Sequence, residues 1–500
     1  MLPSSRRARV RRRPTTPLRP PTQNCGPVYR RRRPTVTPLY PLVQQHLETF
    51  LAQAAESDPM GYGVPSWVER DFRAYLRCGI LAHGFARARC AGCGYDFLVA
   101  FSCASRGVCP SCNARRMVET AAHLVDHVLP PLPVRQWVLS VPKRLRPFLH
   151  HNPVIAGAVL RIFLRAIRTT LRDASPGAGP GAQIGAVSFL HRFGSSLNAH
   201  FHFHVCVIDG VFSEDPEGSV QFHESTHLTA SDWDELQHTV RHRVLRYFYR
   251  HGLLERHVTD DMLTWQASGG FSINASVHIA AWDRAGLERL LRYCARPPFA
   301  LERLEASSYG APGGERVVYR LPHPAPDGTT ALSLTPVELL ERLALLIHPP
   351  RIHRHRYHGV LAPNAKLRYQ VIALGCEQGG VEESISGRLD TRSVAGSSGG
   401  APGRRTSSLW ASLIARIYDV LPLVCPSCGA SMSIIAFVTD PVPVRSILSH
   451  LDLPTRPPPP SPARAPPQGL LEFDQTGGFD PADPEPVPDF KFDQSLPDWT

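Results

Sequence analysis

Between Asn198 and Phe212 the chain reads NAHFHFHVCVIDGVF, with His200, His202 and His204 alternating with Phe201 and Phe203 before an apolar run. Strict alternation is the period of a β-strand, so the three imidazoles share one face and the phenylalanines turn the other way, into a core. A row of imidazoles on one rigid face can hold a metal ion or carry out proton chemistry. Residues 184–192 have the same strand character, and SSLN between the two runs predicts a hairpin.

The remaining pattern alternates helices with short strands. Residues from Leu39 to about Ala86 are helical in period, and 87–115 form a compact cysteine-rich unit followed by a helix over 115–129. VRQWVLSV (134–141) reads as a buried strand, and 153–172 as a helix that ends in the loop SPGAGPGAQ. Further helices are expected over 230–250, 283–296 and 335–347, a strand over 271–279, and a hairpin over 315–334. The helix at 335 opens with Thr335-Pro336 and carries Glu338 at the capping-box position.

These elements suggest six segments: a disordered basic arm (1–37), a helical and cysteine-rich domain (38–130), a larger domain that carries the histidine strand (131–370), a Gly/Ser-rich linker (371–408), a small element with a C-x-x-C pair (409–452) and a disordered tail (453–500). The arm holds eleven arginines and no acids; the tail is proline-rich, then acidic.

Composition narrows the partners. The chain of 500 residues carries a net charge of +12, with a pI near 9.3, which favours a polyanion such as nucleic acid. No apolar run is long enough for a membrane span, and the arginine-rich start lacks the apolar stretch of a secretory signal. The twelve cysteines include three C-x-x-C pairs, the spacing of metal knuckles in a reducing compartment, so a cytoplasmic location is expected.

Cys90, Cys93, Cys109 and Cys112, with fifteen residues between the two pairs, fit a tetrahedral four-cysteine zinc site. Cys78, His83, Cys103 and His123 are left over and could build a second site. Cys425-Pro-Ser-Cys428-Gly is half of a zinc ribbon in want of outside ligands, or else a turn. Arg115 and Arg116 begin a helix, as phosphate contacts or as a solvated face. Arg351, Arg354, Arg356 and Tyr357, in a run dense in cations and aromatics, suit a path for single-stranded DNA.

Five pieces, in order over residues 101–368, resemble the rolling-circle transposases of the IS91 type and their common-region relatives in the HUH endonuclease superfamily. They are FSCASRGVCPSCNARRMVETAAHLVDHVLP, WVLSVPKRLRPF, LNAHFHFHVCVIDGVF, LLRYCARPPFALERL and IHRHRYHGVLAPNAKLR. The resemblance implies an α+β fold: an HUH-type antiparallel sheet with helices behind it, preceded by a small zinc module and followed by a disordered tail. His202-Phe203-His204 matches the HUH motif, with His200 as a third ligand or a supporting group. Tyr293 matches the nucleophilic tyrosine. Many relatives carry a second tyrosine four residues later; here that position is Pro297, so the chain resembles the single-tyrosine branch.

The activity implied is nicking of single-stranded or hairpin element ends through a 5′-phosphotyrosine, with structural Zn²⁺, catalytic Mg²⁺ or Mn²⁺, and a bacterial, nucleoid-associated location. Three rival readings remain: a non-catalytic zinc-finger DNA-binding protein, a metal-dependent hydrolase of a small substrate, and a decayed transposase that binds but does not cut.

Overall fold

The structure, a computed structural model, describes residues 32–226, 228–266, 268–306, 315–325, 327–374 and 424–464. Most of the basic arm, nearly all of the Gly/Ser-rich segment, and the acidic part of the tail lie outside the described residues. The chain divides into two compact units. The smaller comprises 85–99 and 424–438 among the described residues; the larger holds the rest.

The larger unit begins with helices α1 (Leu39–Ser57) and α2 (Ser66–Arg77). In the smaller unit are strands β1 (Phe85–Cys90) and, for the most part, β2 (Asp96–Ala100). The larger unit continues with α3 (Pro110–His127), β3 (Val134–Ser140), α4 (Arg146–His151), α5 (Pro153–Asp173), β4 (Gly185–His191) and β5 (His202–Ile208). Next come β6 (Gly210–Glu214), β7 (Val220–Glu224), α6 (Ala230–Arg250), α7 (Arg256–Thr264), β8 (Ser272–Asn274), β9 (His278–Ile279) and α8 (Arg284–Cys294). Then follow β10 (Leu304–Ala306), β11 (Val317–Arg320), β12 (Ala331–Leu334), α9 (Pro336–Leu346), β13 (His355–Gly359) and α10 (Arg368–Ala373). Beyond residue 424, β14 (Met432–Val438) belongs to the smaller unit and α11 (Pro441–His450) to the larger.

The central sheet has the order β13-β4-β5-β3-β8, with β9 also on β3, and every pairing is antiparallel. The fold class is therefore α+β, as the resemblance implies. Helices cover both faces. On one, Phe201, Phe203, Val205 and Val207 meet Trp137 and Leu139 of β3 and the apolar stripes of α5 and α6. On the other, Val187, Phe189, Cys206 and Ile208 pack against α3 and α8.

Local signals set the helix starts. Asn152 accepts from the amides of Val154 and Ile155, with Pro153 at the first position of α5. Thr229/Asp232 and Thr335/Glu338 make reciprocal capping boxes on α6 and α9. Strand β13 ends on Gly359 at φ +60°, where a side chain would overlap the Ile184 carbonyl, so glycine lets the strand close against β4.

A second core within the larger unit departs from the sequence order. Leu39, Val43, Leu47 and Phe72 of α1 and α2 pack with Phe299, Val317, Tyr319, Leu339 and Leu343, from the β10–β12 sheet and α9. The first residues of the expected tail also belong here. Pro459 accepts from Gln44, and the amides of Ser461 and Arg464 donate to Gln44 O and Thr49 Oγ1. A proline-rich strand is already extended, so it leaves its polar backbone groups open to such partners.

Phe203 is 1% exposed at the centre of the first core. Phe203→Ala is expected to destabilise the chain by about 3–5 kcal/mol, read as a lowered urea midpoint with little change in the m-value.

Candidate active site and metal centres

The register of two strands builds the site. β4 and β5 pair so that His191 stands opposite His202 and Phe189 opposite His204; β3 puts Ser140 opposite His202 and Val138 opposite His204. All of these lie on the α8 face. His191, His202 and His204 converge, with one ring nitrogen of each within 4.8 Å of the others. The third member of the group is thus His191, which the strand alternation alone did not single out. His200 precedes the strand and stacks edge-on against His202 at 5.0 Å between ring centres, outside the convergent trio. Of the two roles expected of His200, third ligand or supporting group, this geometry leaves the supporting one. The hairpin register supplies His191 from the neighbouring strand.

Each imidazole is held from behind. His191 Nε2 donates to the Cys294 carbonyl at 2.7 Å, which leaves Nδ1 buried with a free lone pair and no hydrogen-bond partner. Gln136 Nε2 lies 2.7 Å from His204 Nδ1, and His202 Nδ1 lies 3.4 Å from the His200 carbonyl. Such contacts fix ring orientation around a metal. Burial, reinforced by neighbouring imidazoles and Arg296, pushes His202 and His204 well below the usual histidine range; burial and then Arg296 push His191 down to about 3. All three rings are therefore neutral near pH 7, the state in which imidazole binds metal. The convergent donors, the buried lone pair and the polar backing fit a divalent ion.

Tyr293 completes the face. Asp283 caps α8 by accepting from Gly286 N at 2.7 Å. Leu287, Leu290, Leu291 and Cys294 form its buried stripe at helical spacing. Tyr293 stands at the edge of that stripe, its ring 5.6 Å from His204 and nearly perpendicular to it. The Arg296 guanidinium lies 4.4 Å over the tyrosine ring. Burial raises the Tyr293 pKa, and the charge and hydrogen bond of Arg296 oppose that rise. The helix stops at Cys294, so Pro297 lies past its end rather than one turn along the same face.

The expected four-cysteine set does not form. Cys109 and Cys112, at the start of α3, converge with Cys78 and Cys103, while Cys90 and Cys93 converge with Cys425 and Cys428 in the smaller unit. In the first group Cys78 Sγ lies 3.6 Å from both Cys109 and Cys112, and Cys103 Sγ 3.5 Å from Cys112. A tetrahedral zinc with bonds of about 2.3 Å sets sulfurs about 3.8 Å apart. The Arg32 guanidinium donates to Cys78 Sγ at 3.3 Å and lies 3.9 Å from Cys109 Sγ, a counter-charge for a thiolate cluster. The amides of Cys103 and Ser105 donate to Cys78 Sγ and Cys103 Sγ. The physical reason for the correction is that Asp71 of α2 accepts from Ser105 Oγ and Val108 N in the loop before α3, which holds Cys78 and Cys103 beside the start of that helix. His83 and His123 take no part in the group.

A family model described as "Transposase zinc-binding domain", of the IS91 type, matches residues 42–141, and one described as "Putative transposase" matches 185–368. The two span more than half of the chain, and the first encloses the Cys78 cluster while the second encloses the histidines and Tyr293. The chain belongs to the IS91-type transposases. No curated protein and no solved structure matches it. The transposase is thus a DNA-processing enzyme with a zinc-binding domain, and no helix among its described residues is long and apolar enough to cross a membrane.

The basic run of the transposase does not form one surface. On β13, Arg356 lies across from Ser188 and Tyr357 from Val187, so the two point to opposite faces. Tyr357 packs on the α3 side beneath Arg368. Arg354 donates to Asn113 Oδ1 at 3.2 Å, but its Nε and Nη2 are buried without partners, and burial holds its pKa down to about 10. Arg351 is exposed at φ +64°. On α3, Arg115 pairs with Glu119 and Arg116 donates to the Ala104 carbonyl. On the sheet face away from the histidines, a cavity of about 320 Å³ is lined by Phe201, Phe203, His150, Arg192, Arg354 and Arg356 among others.

His348 is also buried and His150 and His358 are half-buried; burial first, then nearby arginines, push His150, His348 and His358 down to about 4, about 3 and about 4. They stay neutral when folded but take up protons near pH 6.5 when unfolded. Acid therefore favours the unfolded chain, and stability should fall progressively from pH 6.5 to pH 4. Urea midpoints across that range check this, and His348→Gln should flatten the slope.

Proposed function

We propose that the transposase nicks single-stranded DNA at the ends of its element through Tyr293 and moves that strand by a rolling-circle route. The observation that carries this reading is the meeting of His191, His202 and His204 with Tyr293 on one buried face. Tyr293 Oη attacks the scissile phosphorus. The new O–P bond forms as the bond to the 3′-oxygen breaks, and the 3′-oxygen leaves with a proton as a free hydroxyl. The 5′ end stays on the tyrosine, which conserves the bond for rejoining. Arg296 offsets the burial of the phenol and favours its ionised form. Ser140, opposite His202 with its hydroxyl buried, stands where a phosphoryl oxygen could accept from it.

His191, His202 and His204 would hold a divalent ion, which supplies Lewis acidity to the phosphoryl group. Three imidazoles, with no carboxylate in the group among the described residues, favour Mn²⁺ over Mg²⁺.

Incubated with Mn²⁺ and a labelled single-stranded oligonucleotide carrying the element's end, the protein should yield a denaturant-resistant adduct. Tyr293→Phe and His202→Ala/His204→Ala should abolish it, and His191→Ala should reduce it by at least about 100-fold, since three ligands act as a unit. His200→Ala should retain most of it. An adduct that persists in Tyr293→Phe would move the nucleophile elsewhere; binding with no adduct at all would favour a protein that binds and does not cut.

We assign Arg356 and Arg192, which line the cavity on the far face of the sheet, to phosphates of the bound strand. Arg356→Ala should leave the fold intact and lower the salt slope of single-strand binding by about 0.7. An unchanged slope in a fluorescence-anisotropy salt series would remove Arg356 from the path.

A further inference from the structure

We infer that the transposase holds two zinc ions, and that the second is bound by Cys90, Cys93, Cys425 and Cys428 in a ribbon made from two distant stretches of the chain. Cys90 Sγ lies 3.5 Å from Cys428 Sγ, and Cys93 Sγ 3.5 Å from Cys425 Sγ. The four sulfurs form one group, all within 4.8 Å of one another. Bonded sulfurs would lie about 2.05 Å apart, so the arrangement is that of a four-thiolate site and not of two disulfides.

The backbone repeats itself around the two pairs. Gly94 N donates to Cys90 O at 3.1 Å, and Gly429 N donates to Cys425 O at 2.9 Å; Cys90 N meets Tyr95 O and Cys425 N meets Ala430 O, both at 2.8 Å. Gly94 and Gly429 sit at φ +78° and +72°, a conformation that side chains rarely adopt. Two equal Cys-x-x-Cys-Gly turns, facing each other across an antiparallel β1–β14 ladder, make the two halves of a zinc ribbon.

Energetics favour the metal. The apolar cluster around the four sulfurs is Ala88, Cys90, Cys425 and Met432, with Phe97 and Ala430 packed at its margin, and Phe85, Ala86 and Leu98 are buried elsewhere in the described part of the unit. That is a small core for a three-stranded sheet, and two members of the cluster are ligands themselves. Ion binding would supply the missing stability, as in other small metal-built units. Cys90 and Cys93 lie within the matched zinc domain, whereas Cys425 and Cys428 lie outside both family-matched stretches, so half of this site comes from beyond the matched domain.

The two sites differ in access. In the ribbon Cys93 and Cys428 are exposed, whereas the Cys78 cluster is buried apart from half-buried Cys103. The ribbon zinc should leave first when a chelator is added.

Metal analysis of the full-length protein, purified in reductant without chelator, tests this. Two zinc ions per chain are expected. Cys425→Ser/Cys428→Ser should hold one, and Cys103→Ser/Cys112→Ser should also hold one, each keeping the other site. In wild type, zinc release to a chromogenic chelator should be biphasic, with the fast phase absent from Cys425→Ser/Cys428→Ser. Where a variant is insoluble, wild-type alkylation mapped by mass spectrometry answers the same question: zinc should shield Cys425 and Cys428 from maleimide, and early chelation should expose them together with Cys90 and Cys93. One zinc per chain, or two retained in Cys425→Ser/Cys428→Ser, or Cys425 and Cys428 alkylated at full zinc content, would overturn the inference.

Discussion

The pairing of β4 with β5 is the constraint on which the active-site face depends. Because side chains alternate, one register decides at once that His191, His202 and His204 share a face and that Leu190, Phe203 and Val205 fill the core behind them. A slip by one residue would turn the imidazoles into the apolar layer under α5 and α6 and put phenylalanines beneath Tyr293. The core therefore enforces the geometry of the chemistry. The large apolar residues on alternate positions cannot be exposed without loss of the buried layer, so the histidines have nowhere else to point.

Much of this was legible in the chain. Alternation over 200–208 placed the histidines and phenylalanines on opposite faces, and the helix carrying Tyr293 followed from its leucine spacing. The capping box at Thr335 marked a helix start to the residue. His191 escaped notice because the signal lay on another strand: it ends a run of alternating residues, Val187-Ser188-Phe189-Leu190-His191, and only hairpin register brings it opposite His202. The run 351–358 misled in a related way. Its cations and aromatics look continuous in sequence, but a strand sends successive side chains to opposite sides, so Arg356 and Tyr357 serve different surfaces.

The cysteines show where spacing stops being informative. A Cys-x-x-Cys pair specifies its own turn closely, because two sulfurs and one tight bend fit a single tetrahedral edge. It does not specify which other pair supplies the opposite edge. Proximity in sequence favoured joining Cys90/Cys93 to Cys109/Cys112. Tertiary packing overrode it: the end of α2 delivers Cys78 to α3, and β14 delivers Cys425 and Cys428 to β1. Sequence alone does not choose, since eight of the twelve cysteines, Cys78, Cys103, Cys425 and Cys428 among them, are left over once one four-cysteine set is drawn.

The second core carries a temporal consequence. The first helices α1 and α2 bury Leu39, Val43, Leu47 and Phe72 against residues between Phe299 and Ile347. Nascent chains emerge from the ribosome at roughly 5–20 residues per second, so these apolar surfaces wait roughly ten seconds to a minute for the partners that cover them. During that interval a greasy, arginine-flanked N-terminus is presented to the cell, open to chaperones and to aggregation. Truncation anywhere before α9 would leave it so permanently, making interrupted translation products targets for proteolysis rather than partial enzymes.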